Sequence, residues 1–209
     1  MLMRPQHMIP ALLCLLLLSS CGEGGGTNPL PKVTSSGRKI FVTKRVHNGN
    51  FLSDPTLTGG TAIAKADDFC QTDPNRPSNA TYKALLVDGN YRDAKIPVDW
   101  VLKPNTTYYL PFQNEQIGVT TSAAVFATAS TFLDHSIDNS LSYSDSNIWT
   151  GLADASTFGA SGNNCQGWTS SLDPYYSTIG LAYATDASAF YTNGGHACSF
   201  AYRLYCVEQ

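Results

Sequence analysis

The clearest fold signal is the stretch Ser146-Asn147-Ile148-Trp149-Thr150-Gly151-Leu152, followed by Asn164-Cys165-Gln166-Gly167-Trp168, Cys198 and the ending Tyr205-Cys206-Val207-Glu208. The first segment predicts a strand, and its glycine indicates a bulge or a close backbone approach. Trp168 is predicted to lie on a neighbouring strand, and residues 200–207 on the last strand of the sheet. Short strands joined by many turns are therefore expected, and a helical bundle is not.

Four cysteines of the chain fall outside its first 21 residues: Cys70, Cys165, Cys198 and Cys206. In an exported protein they favour two disulfides over free thiols, because the compartments beyond the inner membrane are usually oxidising. Four cysteines allow three pairings, and their spacing does not choose between them. No Cys-x2-Cys pair is present, which argues against zinc. We predict no metal site and no cofactor.

The N-terminal region predicts export and lipid anchoring. Its apolar run, Ile9 to Leu18, is about half the roughly 20 residues that span a bilayer. The following Leu18-Ser19-Ser20-Cys21 resembles the bacterial lipobox, whose cysteine is acylated and becomes the first residue of the mature protein. Residues 1–20 are thus predicted to be a lipoprotein signal peptide, and residues 21–37 the acylated cysteine and a flexible tether. An ordinary secretory signal with a chance cysteine is the alternative.

Residues 38–209 are predicted to form one α+β domain. The chain is 43% hydrophobic, enough for one sizeable core. Only 14% of its residues are charged and its formal net charge is -3, so nucleic acid is excluded as a partner.

Local patterns place the first elements of this domain. Residues 39–46 predict the first strand, and residues 82–88 a buried strand. Between them, residues 61–71 predict a helix with Thr61 as its N-cap and Cys70 facing the core. Two further short strands are expected around residues 103–109 and 116–121.

No pattern of catalytic residues is present, and we predict that the protein is not an enzyme. The segment Gly159-Ala160-Ser161-Gly162-Asn163 lacks the spacing of a nucleophile elbow. His47, His135 and His196 are scattered and are expected to be surface or hydrogen-bonded residues. The adjacent Asp67 and Asp68 point to different faces of a helix, so solvated positions are expected for both.

The candidate ligand-binding residues lie between Cys165 and Cys198. Turn chemistry around Asp173-Pro174 places two tyrosines on a loop, where aromatic side chains supply contact area with little loss of entropy. The alternative is that the tyrosine pair packs its own loop. The tryptophans Trp100, Trp149 and Trp168 are expected to fill the core instead. The predicted binding residues are Asp173, Tyr175, Tyr176, Tyr191 and Asn193.

The set Trp149-Thr150-Gly151-Leu152, Cys165, Trp168, Cys198 and Cys206-Val207-Glu208, with Cys70 on the first helix, resembles the C-type lectin-like fold. That resemblance implies a mixed, short-stranded sheet with one or two helices and two nested disulfides, Cys70–Cys206 and Cys165–Cys198. Residues 38–209 are more closely similar to an uncharacterised bacterial domain-of-unknown-function family, represented among spirochaete surface lipoproteins and akin to the endostatin-like branch of the fold. The motifs behind this likeness are Lys39-Ile40-Phe41-Val42-Thr43, Ala66-Asp67-Asp68-Phe69-Cys70, Tyr82-Lys83-Ala84-Leu85-Leu86 and Val101-Leu102-Lys103-Pro104-Asn105-Thr106.

Two departures from the lectin-like pattern limit what can be transferred. The calcium-binding motifs are missing: Gly194-Gly195-His196-Ala197 precedes Cys198, and the long loop holds only Asp173-Pro174. A calcium ion needs six to eight oxygen ligands, so calcium-dependent sugar binding is not expected. Heparin binding of the endostatin kind needs clustered arginines, which this acidic chain lacks.

These observations predict a surface-exposed lipoprotein held in the cell envelope, in the outer membrane or at the cell surface, by N-terminal acyl groups. Its domain is expected to be a calcium-independent binding module for an extracellular protein or a glycan, as in an adhesin. A structural envelope lipoprotein without a soluble ligand is the alternative, and a carbohydrate-active enzyme is a third interpretation.

We expect the mature protein to begin at an acylated Cys21, because a lipobox-like segment follows a short apolar run. Intact mass and detergent partitioning of the protein from its native membrane measure this, and Cys21→Ser should abolish both signatures. A mature N-terminus that is unmodified and lies beyond Cys21 would contradict the prediction.

Overall fold

The computed structural model describes residues 37–126, 132–138 and 140–209. The predicted signal peptide, the acylation site Cys21 and residues 22–36 of the predicted tether lie outside the described residues. Both disulfides and both groups of buried apolar side chains fall within residues 37–209, which belong to one compact unit. This part of the chain thus has its own hydrophobic core and its own disulfides, as a domain does. None of its described helices is long and apolar enough to cross a membrane.

The architecture is α+β, as predicted, with short strands and few helical segments. The strands are β1 (Arg38–Val42), β2 (Tyr82–Ala84), β3 (Thr107–Tyr109), β4 (Gln116–Val119), β5 (Asn147–Trp149), β6 (Tyr176–Ser177), β7 (Ile179–Leu181), β8 (His196–Ala197) and β9 (Tyr205–Glu208). The helices are α1 (Ala62–Gln71) and the single turn α2 (Cys165–Trp168), and short 3-10 turns span Tyr143–Asp145 and Ala187–Ala189. The N-cap is the predicted one, since the Thr61 hydroxyl accepts the Ala64 N–H at 3.1 Å.

The main sheet is mixed, in the order β2-β9-β1-β3-β4. Strand β9 runs antiparallel to β1 and β2, whereas β1 and β3 are parallel. Strands β5 and β7 form one small antiparallel pair, and β6 and β8 another. The predicted strand over residues 82–88 ends at Ala84, because Val87 N donates to Thr150 O at 3.0 Å and the chain has turned toward β5.

The two ends of the main sheet have different contents. At one end, the last residue of the chain lies beside the start of β2, where Gln209 N donates to Thr81 O at 2.8 Å. Strand β1 begins at this same end, directly after Gly37. At the other end Val87 meets Thr150, and the elements of residues 147–203 follow. The loops of this C-terminal part therefore gather away from the point where the chain leaves Gly37.

Side chains alternate between the two faces of the sheet, so each face has its own core. On one face, Ile40 and Val207 belong to a large cluster that includes Phe126, Phe158 and Phe190. The other face is covered by α1 and carries a smaller second cluster. Apolar side chains buried on both faces explain why strands of three to five residues suffice.

Two nested disulfides lie in the second cluster. Cys70 on α1 is bonded to Cys206 on β9, and Cys165 is bonded to Cys198, each pair with Cα atoms 5.6 Å apart. This is the pairing that the resemblance implies. All four residues are fully buried. The first bridge fixes α1 to the sheet, and the second fixes the ends of the long loop.

Trp168 does not lie on a strand, which corrects the sequence-based prediction. It ends the turn α2, in which Cys165, Gln166, Gly167 and Trp168 all have positive φ. No strand can form with this left-handed backbone. Two contacts hold the turn: the Asn164 side chain accepts the Gly167 N–H at 2.8 Å, and the Trp168 indole donates to Val87 O at 2.8 Å. The prediction that Trp149 and Trp168 fill the core is confirmed, since both are 0% exposed.

Arg92 is fully buried and uses all five of its N–H groups. Its guanidinium donates to both carboxylate oxygens of Asp67 at 2.7 Å, to Ala84 O, and to the carboxylate and the carbonyl of Asp99. Burial alone would lower the pKa of Arg92, but the two carboxylates outweigh it and raise this pKa. Asp67 is therefore not the solvated helix position predicted above; it binds a buried cation that the sequence analysis did not identify.

We expect Asp67→Asn to lower the free energy of unfolding by about 3 kcal/mol, because the neutral amide leaves the buried Arg92 charge short of a partner. Denaturant titration of residues 37–209 measures the loss. The matched control is Asp68→Asn on the same helix, whose carboxylate accepts only the Thr58 N–H at 2.9 Å among the described contacts and should cost under about 1 kcal/mol. Equal losses for the two variants would contradict the role assigned to Asp67.

Gly151 provides the close backbone approach that the sequence predicts. Its φ is +71°, and a Cβ there would stand 2.7 Å from Val87 O and 2.8 Å from Trp168 Cζ2. Neither atom can move easily, since the Trp168 indole itself donates to Val87 O. Only glycine fits this position without displacing the tryptophan.

We expect Gly151→Ala to destabilise residues 37–209 by about 3 kcal/mol, from backbone strain and overpacking together. Gly60→Ala is the control, because no atom lies within 4 Å of its added Cβ. Thermal unfolding of the two variants compares them. A melting temperature for Gly151→Ala equal to that of the control would refute the steric argument.

Candidate functional site

The candidate site is a shallow depression of about 270 Å³ among the C-terminal loops. Two chain segments line most of it, one before and one after the turn α2. The lining residues are Ala153, Ala160, Ser161, Gly162, Asn163, Thr178, Tyr191, Asn193, Gly194 and Gly195. The surface offers hydroxyl groups, amides and glycine backbone, and none of its lining side chains is charged.

The first wall is a loop of residues 153–163 closed by its own hydrogen bonds. Ala153 N donates to Gly159 O at 2.8 Å, and Ser161 N donates to Gly151 O at 2.7 Å. Inside the loop, the Asp154 carboxylate accepts hydrogen bonds from Ser156 and Thr157. Burial opposes ionisation, but these bonds outweigh it and lower the pKa of Asp154 to about 2. The Asp154 carboxylate therefore stabilises the conformation of the loop through these hydrogen bonds.

The second wall is the segment from Tyr191 to Gly195, which follows a 3-10 turn. The Asp186 side chain caps that turn by accepting the Ser188 N–H at 2.9 Å. Thr192 N then donates to Ile179 O at 2.8 Å, which attaches the segment to β7. Thr178, at the floor, donates its hydroxyl to Leu152 O at 2.7 Å and so joins the two walls.

The structure brings together some of the predicted binding residues. Tyr191 and Asn193 line the depression, and the Tyr191 hydroxyl lies 3.5 Å from Asn193 Oδ1. Tyr176 is 48% exposed on β6 and stands against Gly195 at the edge of the depression. Asp173 is exposed in a turn and does not line it. Tyr175 packs partly buried against the second cluster, so its ring contributes to the fold.

The wall formed by residues 153–163 was not among the predicted binding residues. The only sequence-based prediction for Gly159-Ala160-Ser161-Gly162-Asn163 was that it lacks the spacing of a nucleophile elbow. Its small and polar residues were a usable signal for an exposed loop. Its position opposite Tyr191 depends on the bridge of Leu152 with Ala160 and on the approach of Asn164 to Ser177, which the sequence does not reveal.

The histidines serve local structure. His47 stacks on Phe51, with ring centroids 4.1 Å apart, while its two nitrogens contact Asn48 O at 2.7 Å and an Asp54 carboxylate oxygen at 3.1 Å. Burial lowers the pKa of His196, whose Nδ1 lies 2.9 Å from the Tyr202 hydroxyl. Both match the prediction of hydrogen-bonded residues.

The described residues form no group of three or more His, Cys, Asp or Glu side chains that could hold a metal ion. A second polar depression, of about 290 Å³, lies beside the His47–Asp54 pair and includes Asn48, Asn50, Ser53 and Ser171. Its side-chain amides already accept backbone N–H groups: Asn50 N donates to Asn48 Oδ1, and Ser53 N donates to Asn50 Oδ1. We therefore favour the depression at Tyr191.

Comparison with known proteins places the chain in a family. No curated protein is significantly similar to it. A family model described as a protein of unknown function, DUF1554, matches residues 45–185, which include α1, Arg92 and the loop of residues 153–163. The match covers more than half of the chain, and the protein belongs to the DUF1554 family of proteins of unknown function.

Proposed function

We propose that the protein is a lipid-anchored surface protein of the cell envelope whose domain binds an extracellular protein or glycan without calcium. The observation that carries this proposal is the uncharged depression between residues 153–163 and Tyr191–Gly195. Binding, rather than catalysis, is the activity that its side chains suit, since hydroxyl groups, amides and an aromatic ring recognise a ligand by hydrogen bonding and contact area.

Preorganisation supports this assignment. The Cys165–Cys198 bridge fixes both ends of the long loop, and backbone hydrogen bonds fix each wall of the depression. A ligand would therefore contact side chains that lose little conformational freedom on binding. Gly194 and Gly195 are exposed at one edge, where the lack of a side chain lets a ligand approach the backbone; the Gly194 N–H itself donates to Thr192 O.

The place of the depression also supports a tethered binding module. The loops that form it follow the end of the sheet opposite to Gly37, from which the predicted tether leads back to Cys21. A C-type lectin-like fold, which we also propose for this domain, would agree with such an arrangement. The uncharged lining favours a neutral glycan or a polar protein surface over a strongly anionic ligand.

A binding screen of residues 37–209 against extracellular-matrix proteins, plasma proteins and glycans tests the proposal. We expect at least one ligand whose affinity falls about 5- to 150-fold, equivalent to roughly 1–3 kcal/mol, when Tyr176→Ala and Asn193→Ala are combined. Chelation of divalent cations should leave the affinity unchanged. Titration calorimetry measures both effects.

The matched control is Leu172→Ser, which alters a side chain that is 61% exposed in the same long loop but does not line the depression. It should bind like the unmodified domain. A screen without any ligand would favour the purely structural alternative. Affinity that collapses on chelation, or that survives the double substitution, would move the binding site elsewhere.

A further inference from the structure

An exposed apolar loop lies beside the first wall of the depression, where Asp93 accepts the Ala160 N–H at 2.8 Å. Asp93 and Val98 exchange two backbone hydrogen bonds, of 3.0 and 3.1 Å, around the tight turn of residues 94–97. The turn presents Ile96 at 53% exposure and Val98 at 37%, with Pro97 exposed between them, and Tyr91 is 53% exposed just before it. These apolar side chains are close together in the sequence and all exposed, which marks the loop as a candidate interaction site.

The base of this loop is held rigidly. Arg92, next to Tyr91, is the fully buried cation bonded to Asp67, Ala84 and Asp99. Asp88 accepts the N–H groups of residues 90, 91 and 92, and Asp93 accepts those of Lys95 and Ala160. The loop cannot fold its apolar side chains inward without breaking these bonds, so their exposure is built into the fold.

Two lysines belong to the same part of the chain as the apolar loop. Lys95 is exposed at its tip, and Lys103 follows it along the chain; neither forms an ion pair within the described part of the chain. Burial, and the nearby charges of Arg38 and Lys83, lower the pKa of Lys103. Of the acids nearby, Asp99 is paired with Arg92 and Lys83, whereas Asp88, Asp93 and Glu208 accept backbone N–H groups.

Lysines and arginines are also distributed unevenly along the sequence. No lysine or arginine occurs between Pro104 and Tyr202, although the same stretch contains acidic residues such as Asp154 and Asp186. Apart from Arg203, the cations of the domain belong to residues 38–103. Arg38 is also the first residue of β1, so the chain that leads back to Cys21 joins the domain beside Lys103.

We propose that Tyr91, Lys95, Ile96 and Val98, together with the cations Lys103 and Arg38, form one surface, here named the Ile96 face, and that it docks on anionic lipid headgroups. The three apolar side chains enter the interfacial region of the bilayer, and the cations meet lipid phosphates. The inference rests on the proposed lipid anchor for its role in the cell, because the anchor holds the domain close to the membrane.

A membrane fits the Ile96 face better than a protein partner does. Stable protein interfaces bury about 800 Å² on each side, which three exposed apolar side chains do not provide. A tethered domain needs much less, because the tether raises the local concentration of headgroups and makes a weak contact effective. Exposed apolar side chains with lysines nearby can combine insertion at the membrane interface with attraction to anionic headgroups.

Sedimentation of residues 37–209 with vesicles tests the proposal without the acyl anchor. Vesicles of phosphatidylglycerol and phosphatidylcholine in equal parts should bind the domain, and vesicles of pure phosphatidylcholine should bind it much less. Ile96→Ser combined with Val98→Ser should lower the partition coefficient about tenfold, from the loss of inserted apolar surface. Lys95→Gln and Lys103→Gln should each lower it about fivefold, and added salt should lower it further.

The matched control is Phe112→Ser, which removes a side chain that is 72% exposed beside Phe41 and Val42, away from the Ile96 face. It should bind vesicles normally, as should Asn193→Ala in the depression. No binding to the anionic vesicles, binding that ignores lipid charge, or equal losses for Phe112→Ser would overturn the proposal. Thermal unfolding confirms that each variant is folded. If Asn193→Ala loses ligand binding but still binds vesicles, that result bears on the proposed function and not on membrane docking.

Discussion

The buried guanidinium of Arg92 holds together parts of the chain that are distant in sequence. It connects helix α1 through Asp67, strand β2 through Ala84, and the segment before Trp100 through Asp99. A cation taken out of water is tolerated only when every donor finds an acceptor, and here all five do. Burial would raise the pKa of Asp99, but its hydrogen bonds with Arg92 and Lys83 outweigh this and lower it. The carboxylate therefore stays charged and keeps its place in the network.

From this network the positions of several surface features follow. The chain on both sides of Arg92 is fixed, so Asp88 reaches Asn164, whose side chain donates to Asp88 O at 3.1 Å. Asn164 in turn caps the turn that carries Cys165 and Trp168. The left-handed turn, the second disulfide and the long loop are thus positioned by contacts that begin at a single buried charge.

The same structure separates two kinds of surface. The depression near Tyr191 is concave, uncharged and made from loops beyond one end of the sheet. The Ile96 face carries exposed apolar side chains on and beside a tight turn, with Lys95 exposed among them. Each surface suits a different chemistry, the first a polar ligand and the second an anionic layer. The two surfaces share no residues but are neighbours, since Asp93 at the base of the apolar loop accepts the Ala160 N–H.

Local sequence patterns were sufficient for the elements whose cause is local. The Thr61 cap and the apolar face of α1 specified a helix with Cys70 turned inward, and alternating or apolar runs specified the cores of β1 and β9. They also identified the close approach at Gly151. Strand lengths were overestimated, because a run such as residues 82–88 continues to be buried after its ladder has ended at Ala84.

Contacts between distant segments could not be read from the sequence. Asp67 and Arg92 look like ordinary surface charges, since nothing near either residue indicates its partner. The backbone of α2 looks like part of a strand until Asn164, the disulfide and the packing of Trp168 against Gly151 impose positive φ. The depression likewise joins residues 153–163 to Tyr191–Gly195 across the turn α2. Short-range patterns encode which residues are buried and which form turns. Long-range pairing depends on the free energy of the whole fold, so only the assembled domain reveals it.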